Sequence, residues 1–238
     1  MGVHLKKIKL ITFPYAGGSS FGYGSWRKYL PSNFVLVTPD YGGHGLRYNK
    51  PLASHFDDIV QDIYGQIVKE CILPFVFYGH SLGAIIAVYT AQLLYERNGI
   101  MPQAFILGAC RSPKTFPQGL NISFSDTQLL AYLKDVRELS KEFLESNEFK
   151  SYIFPGVKND FRIAGLFNYS PLKLLPCPIL CVNGEQDFSV KDDDVKDWEN
   201  CIAGTFNRIR VPGAHFFHEE FPELVCQILS DYIVSLFI

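Results

Sequence analysis

The chain has 238 residues, 47% of them hydrophobic and 19% charged, enough to bury one sizeable core. A formal net charge of −2 leaves no electrostatic footprint for nucleic acid or an anionic membrane, and no apolar run reaches membrane-spanning length. Its six cysteines (Cys71, Cys110, Cys177, Cys181, Cys201 and Cys226) show no metal-type pairing, so buried thiols in a reduced, cytoplasmic protein are expected. Met1 to Lys7 runs straight into a strand-like segment without a signal-peptide pattern, and Lys6 spoils a myristoylation pattern. Aromatic residues reach 15%, which points to an apolar pocket or lid as well as a core.

In chain order, Ile8 to Phe13 reads as a strand followed by the loop Pro14-Tyr15-Ala16-Gly17-Gly18. Trp26 to Leu30 suggests a helical turn, and Phe34 to Thr38 a second strand ending in Pro39-Asp40-Tyr41-Gly42-Gly43-His44-Gly45. Phe56 to Cys71 has helical period, with Ile59, Ile63, Ile67 and Val68 on one face. Phe75 to Tyr78 is a short apolar strand running into Gly79-His80-Ser81-Leu82-Gly83, and a small-residue helix from Ala84 to about Arg97 follows, stopped by Asn98-Gly99. Ala104 to Ala109 is a further strand. From about 120 to 170 the strand signal disappears. Leu129, Leu130, Leu133 and Val136, then Leu139, Phe143, Leu144 and Phe149, recur at helical spacing, and Ile163, Leu166 and Phe167 suggest a third short helix. This block reads as a helical lid inserted into the domain; ordinary covering helices are the alternative. Alternation resumes with a strand at Pro178 to Val182, a helix from Asp192 to Cys201, a strand at Phe206 to Val211 and a last helix from Phe221 to Leu236. The expectation is one α/β domain over 1–238, a mainly parallel sheet covered by helices on both faces.

Strand, glycine-flanked turn and helix is the context that G-x-S-x-G needs to lift a serine hydroxyl above a sheet edge. The other reading is a tight β–α turn with a capping serine. Ser81, Asp187 and His215 each follow a predicted strand, so they converge on one edge of the sheet. Their order in the chain is that of α/β-hydrolases. A serine hydroxyl needs a base to take its proton and a carboxylate to orient the resulting imidazolium, so the three form one chemical set that requires no metal or organic cofactor. Each has rivals. His218 competes with His215 for the base; His80 is expected to support the site from behind, and His44 to lie at the surface or a pocket rim. Glu185, the Asp192-Asp193-Asp194 helix start and Asp40 compete with Asp187. The backbone N–H groups of Leu82 and Ala16 are the expected oxyanion donors, the alternative for the Ala16 loop being a plain glycine turn.

Phe13-Pro14-Tyr15-Ala16-Gly17-Gly18-Ser19 resembles the opening motif of type II thioesterases, the hydrolases that accompany polyketide and nonribosomal peptide assembly lines. Gly79 to Ala84 is similar to their nucleophile elbow, Pro155 to Phe161 to a lid motif ending in Asp-Phe, and Gly213-Ala214-His215-Phe216-Phe217 to their histidine motif. Cys177-Pro178-Ile179, Gly184 to Asp187, and Trp198 match later landmarks. Gly-His-Ser-Leu also resembles a phosphopantetheine attachment site, but such sites sit on helical bundles and a strand precedes this one. The resemblance implies hydrolysis of acyl or peptidyl thioesters on the phosphopantetheine arm of an acyl or peptidyl carrier protein, a helical lid shaping an acyl chamber, and Tyr15 and Phe216 as substrate-binding residues. Tyr15 stands where many members have histidine, Arg47 only loosely follows a glycine-arginine loop, and Gly165-Leu166-Phe167 replaces a Glu-x-Tyr. The alternatives are a carboxylesterase or lipase of the same fold, and a non-catalytic acyl-binding protein; a monomer is the default state.

Overall fold

The computed structural model describes residues 7–72, 74–116, 124–136, 139–170, 175–201 and 203–236. The expectations for residues 1–6 and for the start of the insertion at 120 lie outside them. Six strands form one sheet in the order β2-β1-β3-β4-β5-β6: β1 (Ile8–Phe13), β2 (Phe34–Val37), β3 (Phe75–His80), β4 (Phe105–Gly108), β5 (Ile179–Gly184) and β6 (Phe206–Val211). Every pairing in it is parallel. A parallel strand needs a crossover and cover on both faces, so inner strands read as continuous apolar runs; β3 and β5 are buried along their whole length. Edge strand β6 is instead largely exposed, and its Arg208 and Arg210 pair with Asp192, charges that discourage a further strand from adding there.

Helices α1 (Phe56–Ile67) and α2 (Leu82–Asn98) cover one face, burying Ile59, Ile63 and Ile67 of α1 against Ile85, Val88 and Ala91 of α2. The predicted first helix stops at Ile67 rather than Cys71, with Cys71 in the turn beyond. The other face carries a 3-10 helix at Ser20–Lys28 and the C-terminal α8 (Pro222–Ser235), through Tyr23, Trp26, Val225, Leu229 and Ile233. α8 follows a one-turn helix, α7 (Phe217–Glu220), which the sequence pattern does not signal. The predicted helix from Asp192 to Cys201 is divided. α6 (Asp192–Lys196) gives way to a 3-10 turn at Asp197–Cys201, which lets Trp198 enter the core while Asp197 accepts the Ser112 hydroxyl. All six cysteines are free and buried.

Between β4 and β5 the chain forms α3 (Asp126–Val136), α4 (Lys141–Glu145), a π-helical turn at Phe149–Ile153 and α5 (Phe154–Gly165). The expected third short helix around Ile163 to Phe167 is the end of α5, which starts earlier because Pro155 supplies a favourable first-turn residue. Strand order reverses between β1 and β3: β2 lies to one side, β4 to β6 to the other. The loops leaving β1 and β3 therefore part there and open a crevice at the strand C-terminal ends.

Candidate active site

The elbow is built by close backbone approach. A Cβ on Gly83 would lie 2.1 Å from the Phe13 carbonyl oxygen, and one on Gly79 would lie 2.4 Å from Ala84 Cα, so only glycine lets α2 start against β1 and turn directly off β3. Ser81 sits between them at φ 53°, ψ −120°, a conformation rare for a residue with a side chain, and is the N-cap of α2. The Leu82 N–H is one of the first four of that helix, which have no partner within it.

The loops after β5 and β6 bring the acid and the imidazole together. Register pairs Gly184 with Val211, so residues three and four places further on meet above the sheet. His215 Nδ1 donates to Asp187 Oδ2 at 2.8 Å, and the Asp187 side chain is only 2% exposed. Asp187 also accepts, at Oδ1, the backbone N–H (2.9 Å) and the hydroxyl (2.6 Å) of Ser189, whose oxygen lies 3.1 Å from His215 Nδ1. Burial pushes the Asp187 pKa up, but the hydrogen bond and charge of His215 and the two Ser189 bonds outweigh it and hold it below the usual carboxylate range. An imidazole anchored in this way has its second nitrogen free to exchange a proton with a hydroxyl across the site.

The other histidines separate by environment. His80 is fully buried; a carbonyl only accepts, so its Nε2 donates to the His215 carbonyl (2.8 Å) and its Nδ1 accepts from Tyr78 (2.9 Å). Burial, followed by neighbouring His218 and His215, drives its pKa well below the ordinary imidazole value. His218 stacks on His80 at 3.8 Å and lies 3.9 Å from Glu219, buried behind the site rather than paired with Asp187. His44, expected at the surface or a pocket rim, lines a second cavity beside Gly17 and Gly43, with its side chain buried and Nε2 3.0 Å from Asp160 Oδ2. Asp40 caps its own loop, accepting from Ser20 and Leu46. Arg47 is structural: it forks onto Asp62 of α1 and donates to the Asp40 carbonyl.

Ser81, Leu82, Ala16 and His215 line one cavity of about 290 Å³ at the crevice. Tyr15 and Phe216 form part of the same wall, their rings 4.9 Å apart and edge to face, while the Tyr15 hydroxyl turns away to donate to Glu219 (2.5 Å). Phe124, Tyr132, Leu133, Phe161 and Ala164 of the insertion supply much of the apolar remainder. Among the described residues, no cluster of three or more His, Cys, Asp or Glu side chains could hold a metal ion.

A family model described as "Thioesterase domain" matches residues 8–233, nearly the whole chain. The chain belongs to the thioesterase domain family. It is similar to the thioesterase TesA of Mycobacterium marinum, 28% identical over 92% of this chain and 88% of the relative. It is also similar to the thioesterase PikA5 of Streptomyces venezuelae, 24% identical over 95% and 81% of the two chains. Among solved structures it resembles ClbQ from the colibactin NRPS/PKS pathway, with a TM-score of 0.88 and 27% identity over 97% of this chain and 98% of that one. This thioesterase is thus a thioester hydrolase on an α/β-hydrolase fold. Two of its site residues were not signalled by any motif. Ser189 doubles the support of Asp187, and Arg111 in the cavity wall donates to the Ser189 carbonyl from Nε (3.0 Å) and Nη2 (2.6 Å). A polar residue two places after the strand-end aspartate was the available clue for Ser189; for Arg111 the sequence holds none.

Proposed function

We propose that this thioesterase hydrolyses acyl or peptidyl thioesters from the phosphopantetheine arm of carrier proteins and so clears wrongly loaded chains from a polyketide or nonribosomal peptide assembly line. Ser81 is the nucleophile, His215 the base and then the acid, and Asp187 the group that orients it. The observation that carries this reading is the Asp187–His215 pair at 2.8 Å, set on the cavity that also holds the strained Ser81. Ser81 Oγ attacks the thioester carbonyl as its proton passes to His215; the Leu82 and Ala16 N–H groups hold the oxyanion; the thiol leaves. Water, deprotonated by His215, then attacks the acyl-serine and releases the acid. A thiolate is a good leaving group, so the demand on His215 as an acid is light. The insertion spanning α3 to α5 serves as the lid, its aromatic residues receiving the acyl chain.

The relatives' names support a carrier-bound substrate: ClbQ is described as coming from an NRPS/PKS pathway, and another relative, from Aneurinibacillus migulanus, is named a gramicidin S biosynthesis protein. Acyl release from an acyl-loaded carrier protein tests the reading. Wild type releases the acyl group, and Ser81→Ala lowers release by a factor on the order of 10³ or more. Equal release by both proteins would remove Ser81 from the chemistry. A clear preference for oxygen esters over carrier thioesters would favour an esterase.

A further inference from the structure

The loop bearing Ala16 is held from the insertion as well as from the sheet. Gly17 N–H donates to Asp160 Oδ2 of α5 at 2.8 Å, and Asp160 is 1% exposed. The same oxygen lies 3.0 Å from His44 Nε2, and His44 Nδ1 lies 2.9 Å from the Gly42 carbonyl oxygen. Backbones approach closely around this knot. Gly17 has φ +76°, and a Cβ there would lie 2.4 Å from Val157 Cγ2, one turn before Asp160; a Cβ on Gly156 would lie 2.8 Å from His44 Nε2. Nε2 faces the carboxylate without the alignment of a hydrogen bond; a carboxylate and a carbonyl both only accept, so a proton on each ring nitrogen suits this pocket.

We propose that Asp160, lying against His44, is a positioning residue for catalysis: by holding Gly17 N–H in the middle of the Tyr15–Gly18 turn it keeps that turn, and with it the Ala16 N–H, in place at the cavity. The Ala16 N–H belongs to the 15–16 peptide unit, whose Tyr15 carbonyl accepts Gly18 N–H at 2.8 Å, so this planar unit is fixed as long as the turn around Gly17 is held. The donor is then correctly placed only while α5 is seated on the loop, which couples the insertion to assembly of the oxyanion site. This rests on the reading of Ser81 and Ala16 given above. His44 faces Asp160 from α5, and Asp40, Tyr41 and the Gly42 carbonyl from its own loop; the Tyr41 ring is 5.8 Å away and its hydroxyl, which donates to the Pro14 carbonyl, stays neutral. Burial pulls the His44 pKa down, but Asp160 and the Gly42 bond outweigh it, so the ring keeps its proton above the ordinary imidazole value. A raised pKa means that the contribution is complete below the ordinary value and is lost as pH rises through the folded one. Above that point a bare nitrogen lone pair would face a buried carboxylate.

The test compares wild type, Asp160→Ala and Asp160→Asn. Two readouts are followed across pH: hydrolysis of an acyl thioester of a short pantetheine-like thiol, and phosphonylation of Ser81 by an alkyl fluorophosphonate, scored by intact mass. Asp160→Ala is expected to lower kcat and the phosphonylation rate by about 10- to 100-fold with KM within about threefold, as misplacing an oxyanion donor does. Asp160→Asn restores most of that rate, because its amide oxygen in the place of Oδ2 still accepts Gly17 N–H. Without the carboxylate charge His44 loses its proton at lower pH, so the alkaline fall expected of wild type moves to lower pH in Asp160→Asn. A phosphonylation rate in Asp160→Ala equal to wild type would overturn the proposal, as would an Asp160→Asn variant whose alkaline fall stays at the wild-type pH. If Asp160→Ala does not fold, the pH profile of Asp160→Asn decides alone. Wild type that is not phosphonylated at Ser81 would instead overturn the serine reading of the site, and this proposal with it.

Discussion

Ser81 adopts a backbone conformation that costs a non-glycine residue about 1–3 kcal/mol, and it is held there by the pairing of β3, by the start of α2 and by its own N–H bond to the Gly108 carbonyl (2.8 Å). The residue beside it has a different task. His80 cannot exchange protons with substrate: it is buried, neutral and bonded at both nitrogens, and its Nε2–H fixes the backbone of His215. Replacing His80 with Phe keeps the ring but loses that donor, so kcat should fall about tenfold, the worth of one buried hydrogen bond. The same variant changes acid stability. A lowered native pKa means the unfolded chain binds a proton first, so wild type loses stability as pH falls below the ordinary imidazole value. Urea midpoints measured from neutral to mildly acidic pH should show a shallower loss in His80→Phe.

The elbow works as an element because strand and helix meet with no side chains between them. Gly83→Ala places a methyl group against the Phe13 carbonyl, a backbone atom that cannot rotate away. The variant should lose about 2–4 kcal/mol of stability by denaturant unfolding, and activity should fall further than the unfolded fraction accounts for, since α2 carries Leu82. The elements most legible in the sequence are those with this local logic. β3 and β5 follow runs of apolar residues that end at Gly, and Ile59, Ile63 and Ile67 mark the inner face of α1. Elements decided by distant contacts were less legible: the break of α6 follows from Trp198 seeking the core and from Ser112, 85 residues away, bonding Asp197. The start of α5 was missed because the apolar period around Ile163 outweighed the Pro155 signal upstream.

At the scale of the whole molecule, the crevice comes from topology and its lining from the insertion. The strand reversal between β1 and β3 places the Ala16 and Ser81 loops side by side, and α3 and α5 supply Tyr132, Phe161 and Ala164 to the wall opposite. Ala164 is buried on α5 and faces the cavity. Ala164→Phe should shorten the space for an acyl chain, so that kcat/KM across a series of linear acyl thioesters peaks at a shorter length than in wild type. Each methylene that no longer fits forfeits about 0.8 kcal/mol, roughly a fourfold change in relative rate. An unchanged chain-length profile would place the acyl chain elsewhere.

The sequence by itself determined the strand–helix alternation, the elbow around Ser81, and the positions of Asp187 and His215 one loop beyond their strands, because each is encoded in apolar period and turn chemistry within about ten residues. It left His218 as a competitor of His215, and the pairing of His215 with Asp187 in the folded chain separates the two. Only the tertiary structure decided what surrounds them. Asp160 reaches Gly17 across 143 residues of chain, the side chain of His44 is buried against that carboxylate, and Arg111 matters through a contact with Ser189 that no local pattern announces. A buried polar group is stable only with its partner, and the fold, not the neighbouring sequence, brings that partner into reach.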